Sequence, residues 1–568
     1  MADSSSGTAG VGIELKSLQE LKRLLTLSYL QCSHRGLLYS AAWAAELAQS
    51  IEAPLESIVQ LEHSSGYYDE FNAYSYGKAL YDLREYRRAA HALRDSKSVE
   101  GTFLKLYSLY LAGEKIKEDE EVESLGDLSN QSTNPFLQQI KEELGKLENA
   151  DKLDGFGHYL YGIVERELSM KDNARAQLFK ACIANPLIWA AWEDLYKLCE
   201  DSNMLNSLKL PDHWMKDFFL AGASLEVMRA NDALAYYDHL SSVGFSGSTY
   251  INNQLAMVYY QLKDFPQSAT LFKTVHDYDP YNFTNIDAYS HVLYVMEMLP
   301  ELYQLATDVD STDKYRPESC SVIGNFYSLH GDHEKACAYF KRAVRLDKTN
   351  HTSWILLGHE YLEMKNHTLA IDAYTKAYET NKHDFRSCYG LGHTYELLKM
   401  PYFALTYYKM AHTLQPSDGR VLYALGDCYD SLDQTDTAKK CYKRAIALQE
   451  PEGIAIVKLA NLHIRLNETE EASKLYSKYL VLIEAGRVTS ASEEDEGNAH
   501  LYLARYHLKR THYTEAEAHA LKATEFLSMR EEGKSILKEV YKYTEQQQSS
   551  MSALVEQLKS EEQLSPVH

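Results

Sequence analysis

The stretch 354-WILLGHEYLEMKNHTLAIDAYTKAYETN-381 decides the fold. It sets Gly358 inside an apolar run of helical spacing, a His359–Glu360 pair beside it, and alanines 370, 373 and 377 in a second run beyond Asn366. A catalytic or metal-binding helix would explain the His-Glu pair, and a repeating unit would explain the glycine and alanines. Neighbouring sequence settles the choice. Gly324, Gly358, Gly392 and Gly426 recur every 34 residues. A tyrosine follows each glycine by three positions (Tyr327, Tyr361, Tyr395, Tyr429), and an alanine follows by twelve (Ala336, Ala370, Ala404, Ala438). An aromatic follows by sixteen (Phe340, Tyr374, Tyr408, Tyr442) and a second alanine by nineteen (Ala343, Ala377, Ala411, Ala445).

Two antiparallel helices per unit account for these columns. Glycine inside a helix costs about 1 kcal/mol against alanine, so its recurrence marks a place where another element passes too close for a side chain. The alanines are small partners in that crossing, and the aromatics fill the gaps beside it. A single pair cannot bury its apolar face, so neighbouring units stack. Composition agrees. With 12 Pro, 27 Gly and 45% hydrophobic residues the chain reads as all-α, and 44 Tyr against 16 Phe suit half-exposed packing seams.

These residues resemble the tetratricopeptide repeat, W-x2-L-G-x2-Y then A-x3-F-x2-A then P, through Trp354, Leu357, Gly358, Tyr361, Ala370, Tyr374 and Ala377. Fainter copies run through Leu255, Ala256, Tyr259, Phe272 and Pro280, through Gly162, Ala174, Ala181 and Pro186, and through Leu459, Ala460, Ala472 and Tyr476. The expected fold is an all-α tetratricopeptide-repeat superhelix, an α-solenoid of about 13 helix pairs. Expected segments are a disordered N-terminus (1–14), an N-terminal repeat-like dimerisation region (15–113), an acidic linker (114–134) and a degenerate array (135–316). After them come a well-formed array with a peptide groove (317–486), an acidic inter-repeat loop (487–496), a C-terminal repeat with a capping helix (497–545) and a tail (546–568).

A net charge of −23 opposes nucleic acid and anionic membrane surfaces, since both are bound by lysine and arginine. The polar start MADSSSGTAGVG is unlike a signal peptide, and no apolar run has the length of a membrane span. Eight scattered cysteines without a C-x-x-C pair read as reduced thiols in the nucleus and cytoplasm. No catalytic residues, cofactor or metal are expected. His359 and His367 lie too far apart for a zincin helix, GLGHTYE (390–396) lacks the third glycine of a dinucleotide fingerprint, and no Walker or nucleophile-elbow motif occurs.

In the repeat family the first helix of each pair lines a groove. Its exposed positions here are Ser321, Asn325, His359, Glu363, Tyr389, His393, Glu396, Tyr423, Asp427 and Asp430, a polar, acidic and aromatic set suited to an extended basic peptide. Asn325, Glu363, Tyr389 and His393 are expected at its centre. The absence of a groove lysine argues against a chaperone adaptor, and no residues remain for a glycosyltransferase domain. The runs from Gly358 to Pro416 and from Leu21 to Leu47 are similar to the subunit-eight-type scaffold of the anaphase-promoting complex, or cyclosome. That resemblance implies a non-catalytic subunit of a ubiquitin ligase that dimerises through its N-terminal repeats, stacks with sister repeat subunits and receives the C-box peptide of a co-activator. A stand-alone adaptor for another basic or aromatic peptide is the alternative.

Overall fold

The structure, a computed structural model, describes residues 15–562 apart from 55–58, 65, 124–132, 200–203, 206–207, 209, 212, 449–452 and 487–491. The expected N-terminal segment 1–14 and the end of the tail lie outside the described residues. Among the described residues there is helix and turn but no strand, and no helix is long and apolar enough to cross a membrane.

The repeat is clearest at the stretch that set the register. Asn350 caps the helix His351–Glu363, its side chain accepting from the Ser353 N–H at 3.1 Å. That helix stops because Lys365 turns left-handed, with φ +58. The Lys365 N–H then returns to the Leu362 carbonyl, and the Asn366 N–H to the Tyr361 carbonyl, each at 2.8 Å. This six-to-one closure satisfies carbonyls that the helix leaves open. Asn366 caps the second helix, His367–Thr380, by accepting from the Leu369 N–H. The buried face of that helix is Ala370, Ala373, Tyr374 and Ala377. The same construction repeats in Phe385–Leu397 with Pro401–Leu414 and in Gly419–Ser431 with Thr435–Ala447, where Lys399 and Asp433 take the left-handed place.

The chain divides into two compact units, Met1–Gly331 and Asp332–His568. The first contains one large core in which Trp43 and Trp189 stack at 4.3 Å with rings nearly parallel and Phe218 and Tyr250 meet them edge-on. Helix Leu38–Ser50 thus packs against Trp189–Lys197 and Thr249–Gln261, although the sequence places those helices in a different segment. Polar contacts fix the same join: Ser28 donates to the Leu187 carbonyl at 2.7 Å, and Glu46 accepts from the Tyr250 N–H at 2.7 Å. The degenerate stretch 283–316 still forms the pair Ile286–Val295 and Leu299–Thr312.

Two expected loops are largely helical where they are described, and their residues 124–132 and 487–491 lie outside the described residues. Glu114 to Glu123, read as the start of a linker, continue the helix Val99–Glu123. Glu493 to Glu496, read as the end of an acidic loop, are the first turn of Glu493–Lys509, where negative side chains complement the positive end of the helix dipole. The polar residues after 546 extend the helix Arg530–Glu562. None of the eight cysteines forms a disulfide, and seven are buried.

Candidate functional site

In the second unit three helix pairs carry the same joint. The ring of Tyr374 lies across the first helix where Gly358 has no side chain, and a Cβ there would stand 2.6 Å from it. Tyr408 covers Gly392 and Tyr442 covers Gly426 in the same way, at 2.6 and 2.5 Å. Tyr374 also blocks Gly390 of the following repeat, at 2.5 Å, so one ring seals two crossings. Ala336, Ala370, Ala404 and Ala438 are fully buried, and Gly324 is buried in the first unit.

Because the rings are buried, their hydroxyls must find partners. Those partners are side chains on the exposed face of the first helix. The Tyr374 hydroxyl pairs with His359 Nδ1 at 2.8 Å, that of Tyr408 donates to Glu396 Oε2 at 2.7 Å, and that of Tyr442 donates to Asp427 Oδ1. Tyr476 continues the row by donating to Asn461 at 2.8 Å. Burial first, and then the nearby carboxylates, push the Tyr374, Tyr408 and Tyr442 hydroxyls far up, so they remain protonated donors. The core thereby orients three of the expected site residues.

Charge is distributed less openly than the sequence suggests. Burial alone would raise the Glu396 carboxyl, but His393 and Tyr408 hold it below its usual range. Lys458, from the next repeat, donates to Asp427 Oδ2 at 2.9 Å. Burial would lower the Lys458 ammonium, but Asp427, Glu396 and Asp430 raise it. Arg465 grips both oxygens of Asp430. Glu363 is exposed, and its carboxylate makes no hydrogen bond or ion pair among the described residues. Tyr389 and Tyr423 are half-buried against the core around Cys388 and Tyr408, and the Tyr389 ring lies 5.5 Å from that of Tyr408.

His359, Glu363, Tyr389, His393, Glu396, Tyr423, Asp427 and Asp430 therefore lie along one set of first helices in the second unit. Ser321 and Asn325 belong to the first unit and lie beneath its surface. Ser321 donates to the Pro317 carbonyl at 3.1 Å, and the Asn325 amide donates to Ser290 at 2.8 Å, joining two neighbouring repeats. Sequence reasoning missed Lys458 and Arg465 as partners of the acidic row. They occupy the following repeat, so columns aligned within repeats do not reveal them. The tyrosine tethers were accessible, because three of the four link residues 15 apart in sequence.

Helix pairs closed by a glycine–tyrosine joint, with a polar row carried on the first helices, define a tetratricopeptide-repeat protein. Residues 317–350, 351–384 and 419–451 match the tetratricopeptide repeat family, and residues 20–256 match the family described as anaphase promoting complex subunit 8 / Cdc23. The chain is 42% identical over 315 residues to anaphase-promoting complex subunit 8 of Arabidopsis thaliana, covering 54% of each chain. It is 34% identical over 400 residues to the subunit 8 protein of Dictyostelium discoideum, covering 60% of this chain and 67% of that one. The chain belongs to the anaphase-promoting complex subunit 8 / Cdc23 family. Its matches span about half the length of the Arabidopsis relative and of the mouse and human Cdc23 homologues. The crystal structure of the APC/C hetero-tetramer Cut9–Hcn1 shares the fold, with a TM-score of 0.57 over 91% of this chain and 95% of that chain at 17% identity.

Proposed function

We propose that this chain is a non-catalytic scaffold subunit of the anaphase-promoting complex, a multisubunit ubiquitin ligase of the cell cycle, acting in the nucleus and cytoplasm. It pairs with a second copy through its N-terminal repeats, stacks with other repeat subunits, and receives the C-box peptide of a co-activator on its C-terminal repeats. Family membership supports the first part of this reading. The observation that carries the second is Glu363, an exposed carboxylate with no ion-pair partner among the described residues, one turn from His359, whose ring is tethered by Tyr374. An arginine of an incoming peptide would meet an anion there without displacing a resident cation, whereas at Asp427 and Asp430 it must compete with Lys458 and Arg465.

Glu363→Lys tests the reading. It should weaken C-box peptide binding about tenfold or more while leaving helicity and self-association unchanged, since loss of a charge-assisted hydrogen bond is worth about 1.5–3 kcal/mol. Unchanged peptide affinity would remove Glu363 from the site. Affinity capture of the tagged chain followed by mass spectrometry separates the scaffold from a stand-alone adaptor. Recovery of cullin-like, RING and other repeat subunits supports the scaffold, and their absence overturns it.

A further inference from the structure

The last repeat departs from the others at its turn. The helix Glu493–Lys509 ends on Thr511, left-handed at φ +63, and the His512 N–H returns to the His507 carbonyl at 3.0 Å. This is the same six-to-one closure that ends the earlier first helices, and it brings together the side chains three residues inside and two residues beyond the helix end. That pair is commonly an apolar contact. Here both members are histidines, with rings 5.9 Å apart and only 26° from parallel.

The second helix, Tyr513–Ala523, supplies the third member. His512 occupies its N-cap position, and Glu515, three residues on, turns back over the cap. One Glu515 oxygen stands 2.8 Å from His507 Nδ1 and 3.2 Å from His512 Nδ1. Ligand atoms of all three residues lie within 4.8 Å of one another. His507 Nδ1 is buried and makes no hydrogen bond despite the nearby carboxylate.

We propose that His507, His512 and Glu515 form a binding site for a divalent transition metal of the zinc class. Two imidazoles and one carboxylate are the donors that zinc accepts, at nitrogen and oxygen distances of about 2.0–2.2 Å, with the fourth position left to water or to a partner's side chain. The closure at Thr511 fixes two ligands and the helix start fixes the third, so the donor set comes from the turn. Metal binding would clasp the last first helix to the start of its second helix. The site lies apart from the peptide row, and its success or failure is independent of the proposed function.

The test uses the full chain, free of any polyhistidine tag and stripped with chelator. Cobalt(II) is titrated by visible absorption, and zinc by calorimetry in competition with cobalt. One equivalent should bind with micromolar or tighter affinity and raise Tm. His512→Ala and Glu515→Gln should each weaken binding about tenfold or more and abolish the Tm rise, while His383→Ala, at an exposed turn of another repeat, leaves both unchanged. Absence of binding, or equal binding by wild type and the two site variants, overturns the proposal. The latter result would assign uptake to scattered surface histidines.

Discussion

Lys458 reaches from one repeat to Asp427 of the repeat before it, Nζ to Oδ2 at 2.9 Å, and so occupies a carboxylate that the sequence alone presents as open. The other oxygen of Asp427 accepts from Tyr442. Lys458→Met removes the cation and keeps most of the apolar stem. Because the lysine side chain is 46% exposed, the stability change should stay below about 1 kcal/mol. Affinity for an arginine-bearing C-box peptide should rise severalfold, read by fluorescence anisotropy. An unchanged affinity would place Asp427 outside the peptide contact.

Gly358→Ala makes the opposite kind of change. Helix propensity alone favours alanine by about 1 kcal/mol. The added Cβ would meet the Tyr374 ring at 2.6 Å, and that ring is fully buried and already held against Gly390. Overpacking of this kind costs about 1–3 kcal/mol, so denaturant unfolding should show net destabilisation. Tyr374→Leu in the same chain should recover only part of the loss, because it also gives up the hydrogen bond to His359.

The glycine and tyrosine columns were legible because they pack within one repeat or against the next at a fixed register. Thus Gly358, Ala370, Tyr374 and Ala377 read correctly from the stretch that contains them. Two kinds of contact were not legible. Lys458–Asp427 and Asn325–Ser290 cross between repeats through individual side chains that no column repeats. Trp43–Trp189 joins helices far apart in sequence, and neither tryptophan shows in its own segment that it will stack on the other. Acidic composition also misled at Glu493–Glu496, where a run read as loop opens a helix because of the sign of its dipole.

The left-handed residues between paired helices are almost all non-glycine. Lys365 and Lys399 both take φ +58 at exposed positions. That conformation costs a residue with a Cβ about 1–2 kcal/mol, partly offset by the greater freedom glycine gains in the unfolded chain. Lys365→Gly and Lys399→Gly should therefore each stabilise by about 0.5–1 kcal/mol and add when combined. Asparagine at either position should fall between lysine and glycine. Thermal unfolding of wild type and these variants checks the order, and a loss of stability with glycine would mean that the lysine side chains make a compensating contact.

Asp384 gives the fold an acid-sensitive point. Its nearly buried carboxylate accepts from Arg386 through Nε at 3.0 Å and Nη2 at 2.7 Å, and His351 Nε2 stands 3.3 Å away. Burial alone would raise this carboxyl, but His351 and Arg386 outweigh it and hold it far below the usual range. The folded chain therefore binds the proton less readily than the unfolded one. The resulting stabilisation is fully present above the unfolded value near pH 4 and drains away as pH falls toward the folded value. Asp384→Asn keeps the shape and an acceptor oxygen but loses the charge that faces Arg386 and His351. At pH 7 it should cost about 2–3 kcal/mol, the scale of a charged hydrogen bond. The difference between wild type and variant should begin to shrink below pH 4 and narrow steadily as pH falls further, measured by urea unfolding at successive pH values. A difference that persists unchanged to pH 3 would show that Asp384 acts through packing rather than through its charge.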